Sequence, residues 1–338
     1  MAETQISLDN IINLAKIKSN TQFITFKSIN NIFELIYIYE ENVNDYKKNS
    51  IICYDLTNFQ KINEIKNENV SEIKHIFDSF NKRDLIISLS DHYVKIWNIN
   101  TVEVIFAVNK YFQKVCFIKE KQQILFMGKL NDQSIIKSNL EIYDLTSGLI
   151  KIIKGLKFLT VYMETINKGF SIYILLIQEE FNNGFFRCPH IISYDYYNNK
   201  VYKKYLSNKK KWKFDGYNLI IYQKNSTTQL IVNDFNSTIM IFDFYSGQIM
   251  QEIKIDKPFE ICVWNNHYLI GYYLLYEENF KTILELIDFE KGLVLKDIKT
   301  FNKHTMDPFH FKKIIHPFYG ECLIGSYSNE IILLTNKK

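Results

Sequence analysis

One short pattern returns along the whole chain at nearly even intervals. It is clearest in "TIMIFDFYSGQIMQEIKI", residues 238–255, and it returns as "NLEIYDLTSGLIKIIKG" from Asn139 and as "ILELIDFEKGLVLKDIK" from Ile283. Each copy contains an apolar residue followed by a polar one, usually Asp, and this pair occurs seven times: Tyr54-Asp55, Trp97-Asn98, Tyr143-Asp144, Tyr194-Asp195, Phe242-Asp243, Ile287-Asp288 and Leu334-Thr335. Successive pairs lie 43, 46, 51, 48, 45 and 47 residues apart. This regularity predicts one structural unit repeated seven times.

The residues of each unit predict four short strands. Two apolar runs precede each pair, as "EICVWNN" and "YLIGYYLLY" do before "LELID", and another alternating run follows six of the seven pairs. Where the connection to this last run is tight, a glycine stands four residues after the acid, at Gly148, Gly247 and Gly292. Glycine supplies the positive φ that a hairpin turn requires. Only three alanines and an aromatic content of 15% also favour strands over helices.

A four-stranded unit at this period is typical of a β-propeller blade. We therefore predict an all-β protein, a seven-bladed β-propeller of four-stranded antiparallel blades, with residues 1–338 as one domain. The chain stops at "NEIILLTNKK", directly after the third strand of the last unit, while a surplus segment, "ISLDNIINLAKIKS", precedes the first unit. We predict that residues near 8–18 supply the outer strand beside Glu330 to Thr335 and close the ring, because closure removes exposed strand edges.

These units resemble the repeats of the WD40 family, which end in a strand closing with Trp-Asp and a following hairpin. Only Trp97 keeps the tryptophan here, and Asn98 follows it; "SLSDHYVKIWN" keeps the family's turn acid as Asp91, and the usual Gly-His pair is missing. The resemblance implies that the signature acids cap backbone amides at the turn after the third strand. It also implies ring closure by an N-terminal segment.

The composition and the motifs argue against several classes of function. The net charge of +4 is small, and arginine occurs only at Arg83 and Arg187, so dedicated nucleic-acid binding is not predicted. The histidines lack metal-pair spacing, and the sequence has no nucleophile elbow and no phosphate-binding glycine loop. We therefore predict no catalytic residue, no metal and no cofactor. The five cysteines have no paired spacing, which indicates reduced thiols: Cys53, Cys116, Cys188, Cys262 and Cys322.

One surface is a candidate for binding. The longest predicted loops, 40–50, 131–139, 178–190 and 301–310, fall on the side of the propeller that carries the connections between second and third strands. Beyond one of them, "NKVYKKYLSNKKKWKF" (199–214) holds seven lysines and no acid. The candidate partner-binding residues are Phe185, Phe186, Arg187, Lys209, Lys210, Lys211 and Trp212. They predict either a surface for an acidic peptide or an anionic membrane, or a solvated lysine-rich edge.

The leading functional hypothesis is a non-catalytic protein-protein interaction scaffold or adaptor of WD40 type, part of a larger complex, that binds other proteins or acidic peptides. Two alternatives stay open. A peripheral phosphoinositide-binding propeller would need adjacent arginines followed by glycine, whereas "FFRCPH" offers one arginine. A propeller enzyme would need acids or histidines converging on the central channel. The polar start "MAETQISLDN" and short apolar runs predict a soluble, cytoplasmic protein, with the nucleus as an alternative location.

Overall fold

We describe the fold from a computed structural model of the chain. It describes residues 10–16, 21–29, 33–40, 50–55, 57–58, 60–66, 70, 72–130, 137–156, 159–168, 171–182, 185–205, 219–224, 226–234, 238–255, 260–264, 268–275, 281–302, 311–316, 318–327 and 330–335. Every regular element within these ranges is a β-strand, so the prediction of an all-β protein is confirmed. None of the described segments forms a helix that could cross a lipid bilayer.

The chain forms short strands throughout. The first half contains β1 (Asn10–Lys16), β2 (Thr21–Ile29), β3 (Phe33–Glu40), β4 (Ser50–Asp55), β5 (Lys61–Lys66), β6 (Glu72–Asp78), β7 (Arg83–Leu89), β8 (Val94–Asn98), β9 (Glu103–Val108), β10 (Lys114–Ile118), β11 (Gln123–Leu130), β12 (Lys137–Asp144), β13 (Gly148–Leu156) and β14 (Leu159–Lys168). The second half contains β15 (Ser171–Asn182), β16 (Phe185–Asp195), β17 (Lys200–Tyr205), β18 (Leu219–Lys224), β19 (Thr227–Asp234), β20 (Thr238–Asp243), β21 (Ile249–Lys254), β22 (Glu260–Trp264), β23 (Tyr268–Leu275), β24 (Lys281–Asp288), β25 (Leu293–Asn302), β26 (Phe311–His316), β27 (Gly320–Tyr327) and β28 (Glu330–Thr335).

These strands pair into four-stranded antiparallel sheets. Six sheets consist of four consecutive strands paired in chain order: β2–β5, β6–β9, β10–β13, β14–β17, β18–β21 and β22–β25. The prediction of a β-propeller with four-stranded antiparallel blades is confirmed, but the predicted count of seven blades is corrected to six. A seventh sheet is composite, because the chain ends after β28 and the fourth strand comes from the other end of the chain, in the order β1, β28, β27, β26.

The composite sheet joins the two ends of the chain. Strand β1 lies antiparallel to β28, with Ile11 opposite Leu334 and Lys16 opposite Glu330. This is the outer position that the sequence analysis assigned to residues near 8–18. Without β1, the backbone N–H and C=O groups along the outer edge of β28 would lack partners, so the N-terminal strand completes the hydrogen bonding of that sheet.

The chain divides into two compact units. The first comprises Met1–Asn69 and Ile255–Lys338, and it contains the sheets β2–β5 and β22–β25 and the composite sheet. The second comprises Val70–Lys254 and contains the other four sheets.

The hydrophobic core of each unit lies between neighbouring sheets. In the second unit, Ile87 of β7 and Phe126 of β11 belong to one cluster, and Leu125 of β11 and Leu176 of β15 belong to the next. The sheet β10–β13 is therefore covered on both faces. This two-sided burial explains the continuous apolar run at residues 124–127 of β11. In the first unit, a similar cluster packs β22–β25 against the composite sheet.

The seven signature pairs end the third strand of every sheet. These strands are β4, β8, β12, β16, β20, β24 and β28. The side-chain oxygen of the polar residue accepts hydrogen bonds from backbone amides two or three positions further on, as Asp144 Oδ1 does from Thr146 N (2.9 Å) and Ser147 N (3.1 Å). The same bond occurs at Asp55, Asn98, Asp195, Asp243 and Asp288. This is the capping role that the family resemblance implied.

The residue four positions after the signature acid adopts a left-handed conformation. Gly148, Gly247 and Gly292 have φ of 79°, 74° and 72°. Val102 and Asn199 stand at the same position of two other sheets, with φ of 58° and 53°. Valine is β-branched and strains in this region, whereas asparagine tolerates it. The fold therefore imposes positive φ at this turn position even on a residue, Val102, that disfavours it.

Exchanging residues at this turn position will shift stability in opposite directions. We expect Val102→Asn to raise the free energy of unfolding by about 1 kcal/mol, because asparagine adopts positive φ at lower cost. We expect Gly148→Val to lower it by about 1–2 kcal/mol. No atom lies within 4 Å of a Cβ placed at Gly148, so this cost reports backbone strain alone. Urea denaturation checks both, and equal midpoints for Gly148→Val and the parent chain would contradict the interpretation.

Removal of β1 tests the composite sheet. Deleting residues 1–20 leaves the outer edge of β28 unpaired. We expect an insoluble product, or one that unfolds at a clearly lower urea concentration than the full chain. A soluble deletion variant with an unchanged unfolding transition would show that β1 contributes nothing to this sheet.

Candidate functional site

The region predicted as the loop 178–190 is a hairpin. Strands β15 and β16 continue through it, with Glu180 opposite Arg187, Phe181 opposite Phe186 and Asn182 opposite Phe185. The loop assignment was therefore wrong for this segment, because strand pairing continues as far as Asn182 and Phe185. The overlooked signal was "NG" at 183–184, since Asn-Gly is the strongest short hairpin signal in a sequence.

The structure describes three of the seven predicted partner-binding residues. Phe185, Phe186 and Arg187 begin strand β16 in this hairpin. The remaining four lie outside the described residues: Lys209, Lys210, Lys211 and Trp212. The described part of the lysine-rich segment is strand β17, the outer strand of its sheet.

Strand β17 is anchored at one end and exposed along most of its length. Tyr205 is fully buried, and its hydroxyl donates a 2.7 Å hydrogen bond to the Phe244 carbonyl oxygen, which ties β17 to the neighbouring sheet. Burial raises the pKa of the Tyr205 hydroxyl. Before it, Lys200 and Lys204 are exposed, and Val201 is 40% exposed. The strand therefore presents both apolar and basic side chains to solvent.

The outer strand of the preceding sheet carries a second exposed apolar run. In β13, Leu149 is 48% and Ile150 50% exposed, and Ile152 is also exposed. Between them, Lys151 Nζ donates a 2.7 Å hydrogen bond to Asn199 Oδ1 in the turn before β17. This bond brings two segments 48 residues apart together. We call residues 148–153 and 197–204 the outer-strand surface.

The acids beside the outer-strand surface accept hydrogen bonds within their own turns. Asp144 and Asp195 are the only carboxylates in 144–153 and 195–204. Hydrogen bonds from the Thr146 hydroxyl and amide hold the pKa of Asp144 below its usual value. Burial raises the pKa of Asp195, but hydrogen bonds from Asn198 and Tyr197 outweigh it and the net shift is downward. Both groups thus stay ionised and bound to backbone, and the exposed side chains of the surface are apolar, basic or, as at Asn198 and Asn199, neutral and polar.

A second group of charged side chains lies on the first strands of three consecutive sheets. Glu72 and Lys74 belong to β6, Lys114 to β10 and Glu164 to β14. Lys114 Nζ lies 3.0 Å from Glu72 Oε2, and Lys74 Nζ lies 3.9 Å from both Glu72 Oε1 and Glu164 Oε2. Two carboxylates and two ammonium groups neutralise one another here. The arrangement ties neighbouring sheets together and leaves no net charge to attract an ionic ligand.

A third polar group is buried between two sheets. The Glu141 side chain is only 2% exposed, and its carboxylate pairs with the ammonium group of Lys110, which is 46% exposed. The Tyr143 hydroxyl donates a 3.0 Å hydrogen bond to Glu141 Oε2. Burial, together with this bond and the carboxylate charge, raises the pKa of Tyr143 to about 12. Both partners satisfy the carboxylate, so the group fixes the connection between β9 and β10.

Two more buried polar pairs occur in the sheet β6–β9. His75 Nε2 lies 2.6 Å from Asp84 Oδ1, and Trp97 Nε1 donates a 2.9 Å hydrogen bond to Ser88 Oγ. Within the described ranges, no three His, Cys, Asp or Glu side chains are grouped closely enough to hold a metal ion. The geometry of these groups is that of structural pairs inside sheets.

Comparison with known proteins does not identify the family, since neither a protein-family model nor a curated protein matches the sequence.

The buried pair of Glu141 with Lys110 predicts a measurable change in stability when the lysine is removed. We expect Lys110→Met to lower the free energy of unfolding by about 2–3 kcal/mol, because Glu141 would keep a buried charge without its cation. Adding Glu141→Gln should recover most of the loss. Lys119→Met, at an exposed lysine nearby, is the matched control. A Lys110→Met protein as stable as this control would contradict the interpretation.

Proposed function

We propose that this chain is a WD40-like β-propeller that acts as a non-catalytic protein-interaction scaffold within a larger complex. The composite sheet repeats the pattern of the other sheets, because it has four strands and its third strand ends at Thr335 as the other third strands end at their signature residues. The bond from Trp97 to Ser88 and the repeated acid-capped turn support the WD40 likeness. The proposed ring is closed by β1.

The single observation that carries the interaction role is the outer-strand surface. It combines exposed apolar side chains on β13 and β17 with lysines, and it lies on strands whose neighbours are rigidly packed. Exposed apolar side chains grouped together and bordered by charge are typical of protein-binding sites. Strand β17 also leads directly into 206–218, which contains Lys209, Lys210, Lys211 and Trp212. We propose that the partners are other proteins or acidic peptides, encountered in the cytoplasm.

The proposed role predicts proteins that co-purify with the chain and depend on its lysines. We expect a tagged chain, isolated from its native cells, to retain specific proteins identified by mass spectrometry. The triple variant Lys209→Glu, Lys210→Glu, Lys211→Glu should retain them weakly, because the sign of the charge is reversed. Its unfolding transition should match that of the parent chain, which separates lost binding from lost folding.

Two results would overturn the scaffold role. The first is a tagged chain that purifies without partners. The second is a chain that retains no protein but floats with vesicles containing phosphatidylserine or a phosphoinositide, which would favour the peripheral-membrane alternative.

A further inference from the structure

We propose that the outer-strand surface binds an extended, acidic segment of a partner protein, which pairs as an added strand with β17. This inference rests on the proposed scaffold role and specifies its partner. It is carried by three features of the described residues: an open strand edge, exposed apolar side chains on two neighbouring sheets, and an excess of lysine.

The open edge supplies backbone hydrogen bonds. Within the described residues β17 pairs with β16 alone, so the N–H and C=O groups along its other edge face outward. An extended peptide adds to such an edge through its main chain, and the side chains beside the edge select the sequence. The anchoring bond from Tyr205 to Phe244 holds β17 in place, so the edge is preformed.

The exposed apolar side chains supply contact area. Val201 projects from β17, and Leu149 and Ile150 lie on β13, the outer strand of the next sheet. The bond between Lys151 and Asn199 fixes the start of β13 against the turn that leads into β17. A strand added to β17 would lie beside Val201, whereas Leu149 stands opposite Tyr143, whose side chain packs toward the sheet β6–β9 on the other face.

The lysines select acidic side chains. Lys200 and Lys204 lie on β17 and Lys151 on β13, and all three are exposed. The nearby acids, Asp144 and Asp195, already accept backbone hydrogen bonds in their turns. Glutamate or aspartate in the partner segment would complement this charge.

The same charge argues against a second copy of this chain as the occupant. Two copies joined through β17 would bring Lys200, Lys203 and Lys204 of one chain beside those of the other. Like charges on neighbouring strands are unfavourable, so this edge is poorly suited to pairing with itself. An acidic partner meets no such repulsion.

The test uses the purified full chain and a fluorescein-labelled peptide in which Glu alternates with Val, with binding followed by fluorescence anisotropy. We expect measurable affinity that falls as salt is added. The variant Lys200→Glu, Lys204→Glu and the variant Ile150→Thr, Val201→Thr should each bind about tenfold more weakly. Threonine keeps the β-propensity of these positions, so the strands should remain. Amide hydrogen exchange along β17 should slow when the peptide binds.

Matched controls use outer strands elsewhere in the chain. Leu293→Thr on β25 and Lys254→Glu on β21 change equally exposed positions and should leave peptide binding unchanged. A peptide with Lys in place of Glu should not bind.

Several outcomes would overturn the inference. They are equal binding by the parent chain and the two β13/β17 variants, binding of the Lys peptide, or displacement of the Glu peptide by phosphatidylserine vesicles. If the peptide does not bind while specific proteins still co-purify with the tagged chain, the inference is wrong and the scaffold role stands. If the tagged chain retains no protein partner, the proposed scaffold role is wrong.

Discussion

The structure depends on burying both faces of four-stranded sheets against one another. In the second unit, the sheet β10–β13 packs against β6–β9 on one face and β14–β17 on the other. A strand covered on both sides cannot alternate apolar and polar residues, which is why β11 and β20 are nearly continuous apolar runs. Burial is weaker in the outer strands, where side chains such as Leu149, Val201 and Leu293 face water.

Two-sided burial leaves few places for polar side chains, and several of those present inside are paired, although Trp264 Nε1 is buried without a hydrogen-bond partner among the described residues. Glu141 meets Lys110 and Tyr143, His75 meets Asp84, and Trp97 meets Ser88. An unpaired polar group at such a position would cost more than the pair contributes, so these residues constrain how neighbouring strands fit together. These side chains therefore bind one another and hold the sheets in register.

The outer strands are where the fold can vary at little cost. Substitutions at Ile150 or Val201 remove no core contact of the kind made by Leu125 or Leu176, so exposed positions are available for binding. The turns that support these strands are nevertheless rigid, because the acid caps at Asp144 and Asp195 hold them from inside. A preformed surface loses less conformational entropy on binding than a mobile loop does, which suits β13 and β17 to recognition.

The sequence by itself determined the strand period, the third-strand ends and the turns. Apolar runs and the Asp-to-Gly spacing are local signals, and Asp144 with Gly148 can be recognised without any knowledge of distant residues. Counting strands also predicted the pairing of β1 with β28. The tertiary structure alone decided the contacts between sheets, because the bond from Lys151 to Asn199 and the contact of Lys110 with Glu141 join residues that no local pattern relates. The positive φ of Val102 is imposed against its own preference. Local periodicity follows from backbone geometry, so it can be read from short stretches of sequence. Contacts between sheets depend on how the sheets pack, and they are therefore decided only in the assembled fold.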